Sequence, residues 1–322
     1  MNIFRLVDLP VWRNAGTAFY LLLVMLLCAD SARGGEKHHT RLSEADANSV
    51  DHKRLTGIIV TGTAAYLGSM SALYFAWYKN HPQTSFHFYD DFPEWLQMDK
   101  GGHMVASYYI GMLGYESLRW AGVERKKAIW YGGSFGSVYL SAIEILDGFS
   151  SGWGFSMSDL AANTLGSAMF ISQQLCWDEQ RVLLKYSYQP TKFAAYRPEL
   201  LGSNHLERLL KDYNGITYWL SVNPNSFGLD RCPKWLNIAL GYSATGMTGG
   251  SANIYGYQNG KFIPFYARER QFLFSFDVDL SKIKTRSQSL GLVLKALGFI
   301  KIPLPALEFN TNKKFVFHPL YL

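Results

Sequence analysis

Charged side chains are scarce in this sequence. Lysine, arginine, aspartate and glutamate make up 17% of its 322 residues, where a soluble domain usually carries about 25%. The composition therefore departs from that of an ordinary water-soluble domain. Cysteine is scarcer still: Cys28, Cys176 and Cys232 are too few for a disulfide framework. No run of lysine and arginine interleaved with aromatics occurs, and no nucleic-acid motif. Nucleic acid is not an expected partner, despite a net charge of +6. The basic balance suits anionic lipid headgroups or an unspecialised surface. A chain made of spanning helices throughout is also excluded, because mean hydropathy is only −0.04. The apolar residues must be concentrated in part of it.

Aromatic residues are abundant, with 21 Phe, 20 Tyr and 9 Trp. Tyrosine and tryptophan suit a membrane interface, where one end of the ring is apolar and the other wet. The length is enough for one large domain or two ordinary ones.

Residues 18–27 (AFYLLLVMLL) are apolar without a break, follow Arg5 and Arg13, and precede the small residues Ala29, Ser31 and Ala32. That pattern describes a secretory signal, and so short a run falls well below the ~20 residues a spanning helix needs. Cleavage near Ala29-Asp30-Ser31, retention as an anchor and lipidation of Cys28 are the three outcomes. Leu27 is larger than a lipidation signal prefers. If Cys28 leaves with the signal, Cys176 and Cys232 form one disulfide or remain two buried thiols.

Gly57 to Tyr78 has no charged residue, follows Lys53 and Arg54, and closes on Trp77-Tyr78-Lys79. It is long enough to span a bilayer. Gly62, Ala65, Gly68, Ser69 and Ala72 would let another helix approach closely. An aromatic, acidic loop follows (HFYDDFPEW, 87–95), then three helical segments over 99–120, 127–146 and 158–175. Glycines at 101, 102, 111 and 114, and at 132, 133 and 136, point to close backbone packing. Ser158 or Asp159 can cap the last helix. Beyond residue 230 the apolar period becomes two. Leu236, Ile238, Leu240 and Tyr242 alternate with smaller residues, and so do Phe272, Phe274, Phe276 and Val278. This is strand patterning with one apolar face. Four or five such strands fall short of the ~8 of the smallest membrane barrels, so a small sheet resting on the membrane or on the helices is expected.

The expected fold class is α+β, with an N-terminal hydrophobic bundle of about four helices and a small antiparallel β-rich C-terminal region. The boundaries are 1–32 for the signal or anchor, 33–54 for a polar linker, 55–177 for a membrane-type helical core, 178–230 for a connecting segment and 231–322 for the β-rich region.

Polar residues interrupt the apolar helices in a pattern. Asp99 and His103 are four apart, with Lys100 beside them; Glu144 and Asp147 are three apart; Asp159 and Asn163 are four apart. Each set shares one helix face. If the three helices pack antiparallel in sequence order, the sets meet at one end. Asp99, His103, Glu144 and Asp159 are the candidate catalytic residues, and Lys100, Asp147 and Asn163 the candidate binding residues. A carboxylate next to an imidazole can activate water or a hydroxyl. No cofactor is evident, but one histidine with two or three carboxylates suits a divalent metal. Against this stands a structural reading, in which Asp99 and Asp159 cap helix starts and His103 locks helix packing. A second set, His87, Asp90, Asp91 and Glu94, is either an interfacial cation site or a solvated loop anchored by its aromatics.

The spacing Asp99-Lys100-x-x-His103, Glu144-x-x-Asp147, Gly152-Trp153 and Ser158-Asp159-Leu160 with Gly166 resembles the YfiM-like family of predicted periplasmic lipoproteins, over about residues 95–175. The Asp-Lys-x-x-His opening and the Asp-x-x-x-Asn-x-x-Gly close are also similar to VanZ-like membrane proteins. The resemblance implies a periplasm-facing envelope location and no settled chemistry. The expected role is structural or binding, with membrane lipid or another envelope protein as partner. The alternatives are a membrane enzyme or ligand-binding protein acting on lipid or cell-wall precursors, and an outer-membrane β-protein.

Overall fold

Helices come first along the chain and strands follow. The computed structural model describes residues 50–79, 81–258 and 260–322. The expected signal segment with Cys28, and the polar linker up to residue 49, lie outside the described residues.

Helix α1 (His52–Leu73) starts at Asp51, whose carboxylate accepts from the Lys53 and Arg54 amides, and continues through a wider turn over Tyr74–Tyr78. It is the one helix among the described residues long and apolar enough to cross a membrane, and none of its apolar window is buried. Its ends hold it beside the other helices: Arg54 donates to the Trp120 carbonyl, and the Tyr78 hydroxyl donates to Asp147. Between these ties it touches little beyond Tyr139, through Tyr66 and Ser69. Of the small-residue stripe expected to receive a helix, Ser69 meets α3 through Tyr139, but the stripe's glycines are not used for close packing. A Cβ added at Gly57, Gly62 or Gly68 would meet nothing within 4 Å.

Helices α2 (Met98–Trp120), α3 (Arg125–Asp147) and α4 (Met157–Trp177) pack on one another. The closeness comes from glycine: a Cβ on Gly111 would sit 2.5 Å from the Gly133 carbonyl oxygen. Tyr108, Ile129 and Phe170 fill the shared core and reach Leu184 of the first strand.

Eight strands follow: β1 (Val182–Tyr188), β2 (Ile216–Val222), β3 (Leu236–Thr245), β4 (Gly256–Gln258), β5 (Lys261–Ile263), β6 (Glu269–Val278), β7 (Leu304–Asn310) and β8 (Phe315–Tyr321). Six form one sheet in the order β1-β2-β3-β6-β7-β8, and β4 and β5 make a separate hairpin. Every pair is antiparallel. The sheet is larger than expected, and β1 and β2 fall within 178–230, the stretch read from sequence as a connection. Three short helices of that stretch, α5 (Phe193–Tyr196), α6 (Pro198–Leu201) and α7 (His205–Lys211), link β1 to β2, and α8 (Gln288–Ala296) links β6 to β7.

The sheet curls strongly. Flat strands are spaced by ~4.8 Å, so β2 and β8, four steps apart, would lie about 19 Å from each other. The Trp219 and Tyr321 ring centroids are instead 5.7 Å apart, and Lys185 of β1 reaches Asp277 of β6 at 2.7 Å. The concave side is mixed: Ser187, Thr217, Ser221, Asn237, Ser275 and Asp277 are buried there beside an apolar cluster of Trp219, Ala239, Leu273, Ala306 and Tyr321. The convex side carries two apolar rows fixed by the register. One runs Leu184, Leu220, Leu240, Phe274, Leu307, Phe317; the other runs Tyr186, Tyr218, Tyr242, Phe272, Phe309, Phe315. Helix α2 covers the start of these rows. Tyr109 donates to the Leu184 carbonyl, and the Tyr218 ring lies where Gly101 has no side chain.

Cys176 and Cys232 are free thiols; Cys176 is exposed and Cys232 half-buried. Neither forms the disulfide weighed from sequence, and neither is deeply buried.

Candidate functional site

Three helix ends meet, the start of α2, the end of α3 and the start of α4. The approach to α2 is unusual. Trp95, Leu96 and Gln97 have φ of 48°, 51° and 65°, three successive non-glycine residues in the left-handed region. Such residues cost roughly 1–2 kcal/mol each. Contacts from elsewhere hold them: Trp95 N–H donates to the Gly250 carbonyl, Tyr242 hydroxyl to the Leu96 carbonyl, and Arg270 to Gln97 Oε1. Strain of this kind gathers at functional sites.

Asp99 and Asp159 do not cap their helices. The α4 cap is Ser156, which accepts from the Asp159 amide, and α2 begins at Gln97 with no side-chain cap. Both carboxylates are thereby free to turn inward. Lys100 is the internal counter-ion: its Nζ lies 2.7 Å from Asp91, 2.8 Å from Asp159 and 3.3 Å from Asp99. His103 Nδ1 is 3.0 Å from Asn163 Oδ1 and 3.8 Å from Glu144. Its Nε2 is 3.9 Å from Asp159 and 4.0 Å from Asp99. One ring nitrogen thus faces the Asn163 amide and the other two carboxylates, and the tautomer sets which of them donates. Asn163 is fully buried, yet its Nδ2 has no hydrogen-bond partner among the described residues. Asp99 and His103 are 26% and 20% exposed at the side chain, against 5% for Asp159 and 3% for Glu144. Access is therefore from the α2 side.

The structure brings together every candidate from the first pattern, with Asp147 at the edge on Tyr78. The second set does not converge. His87 bonds the Trp153 carbonyl, Glu94 accepts from Tyr89 and Ser251, and Asp90 accepts from the Phe92 amide. Asp91 instead joins the main cluster, held by Ser156 and Ser158 as well as Lys100. Tyr213, whose hydroxyl donates to Asp99 at 2.7 Å, gave no sequence signal, because it lies 114 residues away.

Burial and charge crowding set the protonation. Burial, then Asp159, Asp147 and Asp99, push Glu144 up to about 9. Burial raises Asp147 to about 6 against the hydrogen bond from Tyr78. Burial raises Asp159 to about 6, opposed by His103 and reinforced by Asp99. Burial also acts to raise Asp91, but its hydrogen bonds, those from Lys100, Ser156 and Ser158 included, outweigh it and hold that carboxyl down to about 2.

Glu144 yields a pH prediction. Its folded-state value lies above the ordinary 4.5, so between 4.5 and 9 the folded protein binds more protons than the unfolded chain. Stability is then lost as pH rises through that window, by up to about 1.4 kcal/mol per pH unit from this one group. Glu144→Gln, nearly isosteric and always neutral, is expected to melt higher than wild type at pH 9 and to show a flatter profile from pH 6 to 9. Parallel melting profiles for the two proteins would contradict the burial argument.

The fold is α+β, with a carboxylate–imidazole–ammonium centre at one end of its helical unit. Residues 88–173 match the model of a family described as predicted periplasmic lipoprotein (DUF2279). The matched segment contains Asp91, Asp99, Lys100, His103, Glu144, Asp147, Asp159 and Asn163, and excludes Tyr78 and Tyr213. It agrees with the YfiM-like resemblance, and the VanZ-like similarity is not shown. No curated protein and no solved structure matches the chain.

Proposed function

We propose that this envelope protein is anchored in a membrane through α1 and binds a divalent cation at Asp99, His103 and Asp159. One observation carries the reading: each of the three presents a ligand atom, and these atoms all lie within 4.8 Å of one another. Asn163 orients the imidazole from its far nitrogen, as groups behind a metal ligand commonly do. Five carboxyl groups, Asp91, Asp99, Glu144, Asp147 and Asp159, crowd around one lysine, Lys100, and the His103 imidazole. Burial, with repulsion among these carboxylates added to it, raises Glu144, Asp147 and Asp159, and a bound cation would relieve that repulsion. A nitrogen donor among oxygens favours zinc, manganese or iron(II) over calcium.

Metal content of the purified full chain and its melting with added zinc or manganese test the proposal. At a metal concentration 100 times Kd, the expected gain is about 2.7 kcal/mol, and His103→Ala should abolish it. If no divalent cation raises the wild-type melting temperature, or if His103→Ala keeps the full gain, the cluster is a structural network.

A second reading rests on the unpartnered Asn163 Nδ2. An oxygen atom accepting from it would lie beside His103, the arrangement a general base requires. Turnover of a lipid-linked cell-wall precursor by the purified protein, lost in His103→Ala, would select this reading over binding alone.

A further inference from the structure

The six-stranded sheet turns continuous apolar rows outward, which is unusual for a protein in water. A sheet with one solvated face puts its polar residues on that face and its apolar residues inward. Here the concave side holds an ion pair, Lys185–Asp277, with both side chains 0% exposed, and around it serines, threonine and asparagine linked by hydrogen bonds. Ser221 donates to Asp277, Asn237 to Ser221, and Trp219 to Ser187. The convex side holds the apolar rows. Within, this polar network is joined by the apolar Trp219, Leu273 and Tyr321; an outer face that is apolar from row to row is what hydrocarbon surroundings favour.

The rows themselves show where the surroundings change. At β1 they lie beneath α2, and Leu184 is 2% exposed. The same rows continue without a break across β3, β6, β7 and β8; Tyr242 of β3 is still held by the loop before α2, but Leu240 is 53% exposed, Leu307 52% and Phe317 62%. Along the second row the residue type changes after β3. Tyr186 and Tyr242 use their hydroxyls on the Leu209 and Leu96 carbonyls. Past them the row becomes Phe272, Phe309 and Phe315, rings with no polar handle. The rows therefore continue an apolar interface already formed with α2, onto something that offers no hydrogen bonds.

The rim adds charge. At the end where β3 begins and β6 finishes, Lys234, Lys284, Arg286 and Lys295 are exposed. Helix α8, which carries Lys295, presents Leu290 and Val293 at 48% and 41% exposure. Basic residues beside a short amphipathic helix complement anionic headgroups. We infer that the convex face of β3, β6, β7 and β8 lies against the hydrocarbon of an anionic lipid bilayer, with this basic rim at the headgroups.

Helix α1 would bring the chain to vesicles in either case, so the test reads the environment of the face and not binding. The full chain with its native cysteines replaced by serine takes a single Phe274→Cys, labelled with the fluorophore NBD. It is reconstituted into vesicles of phosphatidylcholine and phosphatidylglycerol. The expected result is blue-shifted emission that is lost to doxyl-labelled acyl chains and unaffected by aqueous iodide. The same label at Tyr257→Cys, on the exposed β4–β5 hairpin, should respond to iodide instead. Because the labelled variant could misfold, the unmodified protein is also treated with a photoactivatable acyl-chain probe, which should label residues 269–278 and 304–321. Iodide quenching at position 274, or no photolabelling of those strands, overturns the inference. Protection from both quenchers with cross-linking between chains also overturns it, and would assign the face to a second copy.

Discussion

Lys185→Met is expected to destabilise the protein by about 3 kcal/mol, at the lower end of the 3–5 kcal/mol seen when one partner of a buried ion pair is removed. Lys185 Nζ donates to Asp277 at 2.7 Å and to the Val278 carbonyl at 2.8 Å. Both side chains are fully buried, so the variant leaves a carboxylate inside the curled sheet without its counter-charge. The lower end applies because Ser221 and the Ile302 amide still donate to Asp277. Adding Asp277→Leu to Lys185→Met should restore much of the loss, since an apolar pair of similar volume commonly replaces a buried ion pair at little cost. Denaturant unfolding of the two single variants and the double in detergent checks this. Additive losses would mean that the pair is uncoupled and that the interior of the sheet is wet.

Gly136→Val should be more damaging still and should dismantle the helical unit. A Cβ at Gly136 would lie 2.1 Å from the Ser107 carbonyl oxygen and 2.8 Å from its carbonyl carbon. These are backbone atoms of α2, which cannot swing aside as a side chain can. The helices must separate, and overpacking that forces backbone shifts costs about 1–3 kcal/mol or more. Separation would also pull Glu144, two turns further along α3, away from His103. The expected outcome is loss of cooperative melting together with any metal response. Gly62→Ala is the control. Nothing lies within 4 Å of that position, and alanine is the better helix former by about 1 kcal/mol, so it should be neutral or mildly stabilising. If Gly136→Val melts like wild type, the helices do not cross as closely as described.

What was legible in the sequence follows from where contrast survives along the chain. The helices of the site were read to within about two residues, because long apolar runs with glycine spacing have few other solutions. Asp99, His103, Asp159 and Asn163 were legible because a helix repeats its face every three or four residues. Asp91, Tyr78 and Tyr213 were not, since each arrives from another segment and carries no local period. Strands β3 and β6 could be read because their two faces meet different surroundings. In β1 the contrast disappears: Leu183, Leu184 and Lys185 are all buried, one face by α2 and the other by the sheet's own curl. Pro303 and Pro305 masked β7, which begins at Leu304. The capping role given to Asp99 and Asp159 failed because Ser156 caps α4 and the left-handed residues before α2 leave its start without a side-chain cap.

The two-residue period of the sheet also affects how the chain could be exported. In β6, Leu273, Ser275 and Asp277 stand between the phenylalanines, and the strand is ten residues long. It never makes the run of ~20 apolar residues that marks a spanning helix. Secretion machinery that reads the unfolded polymer finds nothing there to arrest. The greasy surface comes into existence only when strand pairing sets Leu240, Phe274, Leu307 and Phe317 side by side. For this part of the molecule, a continuous apolar surface is a product of folding.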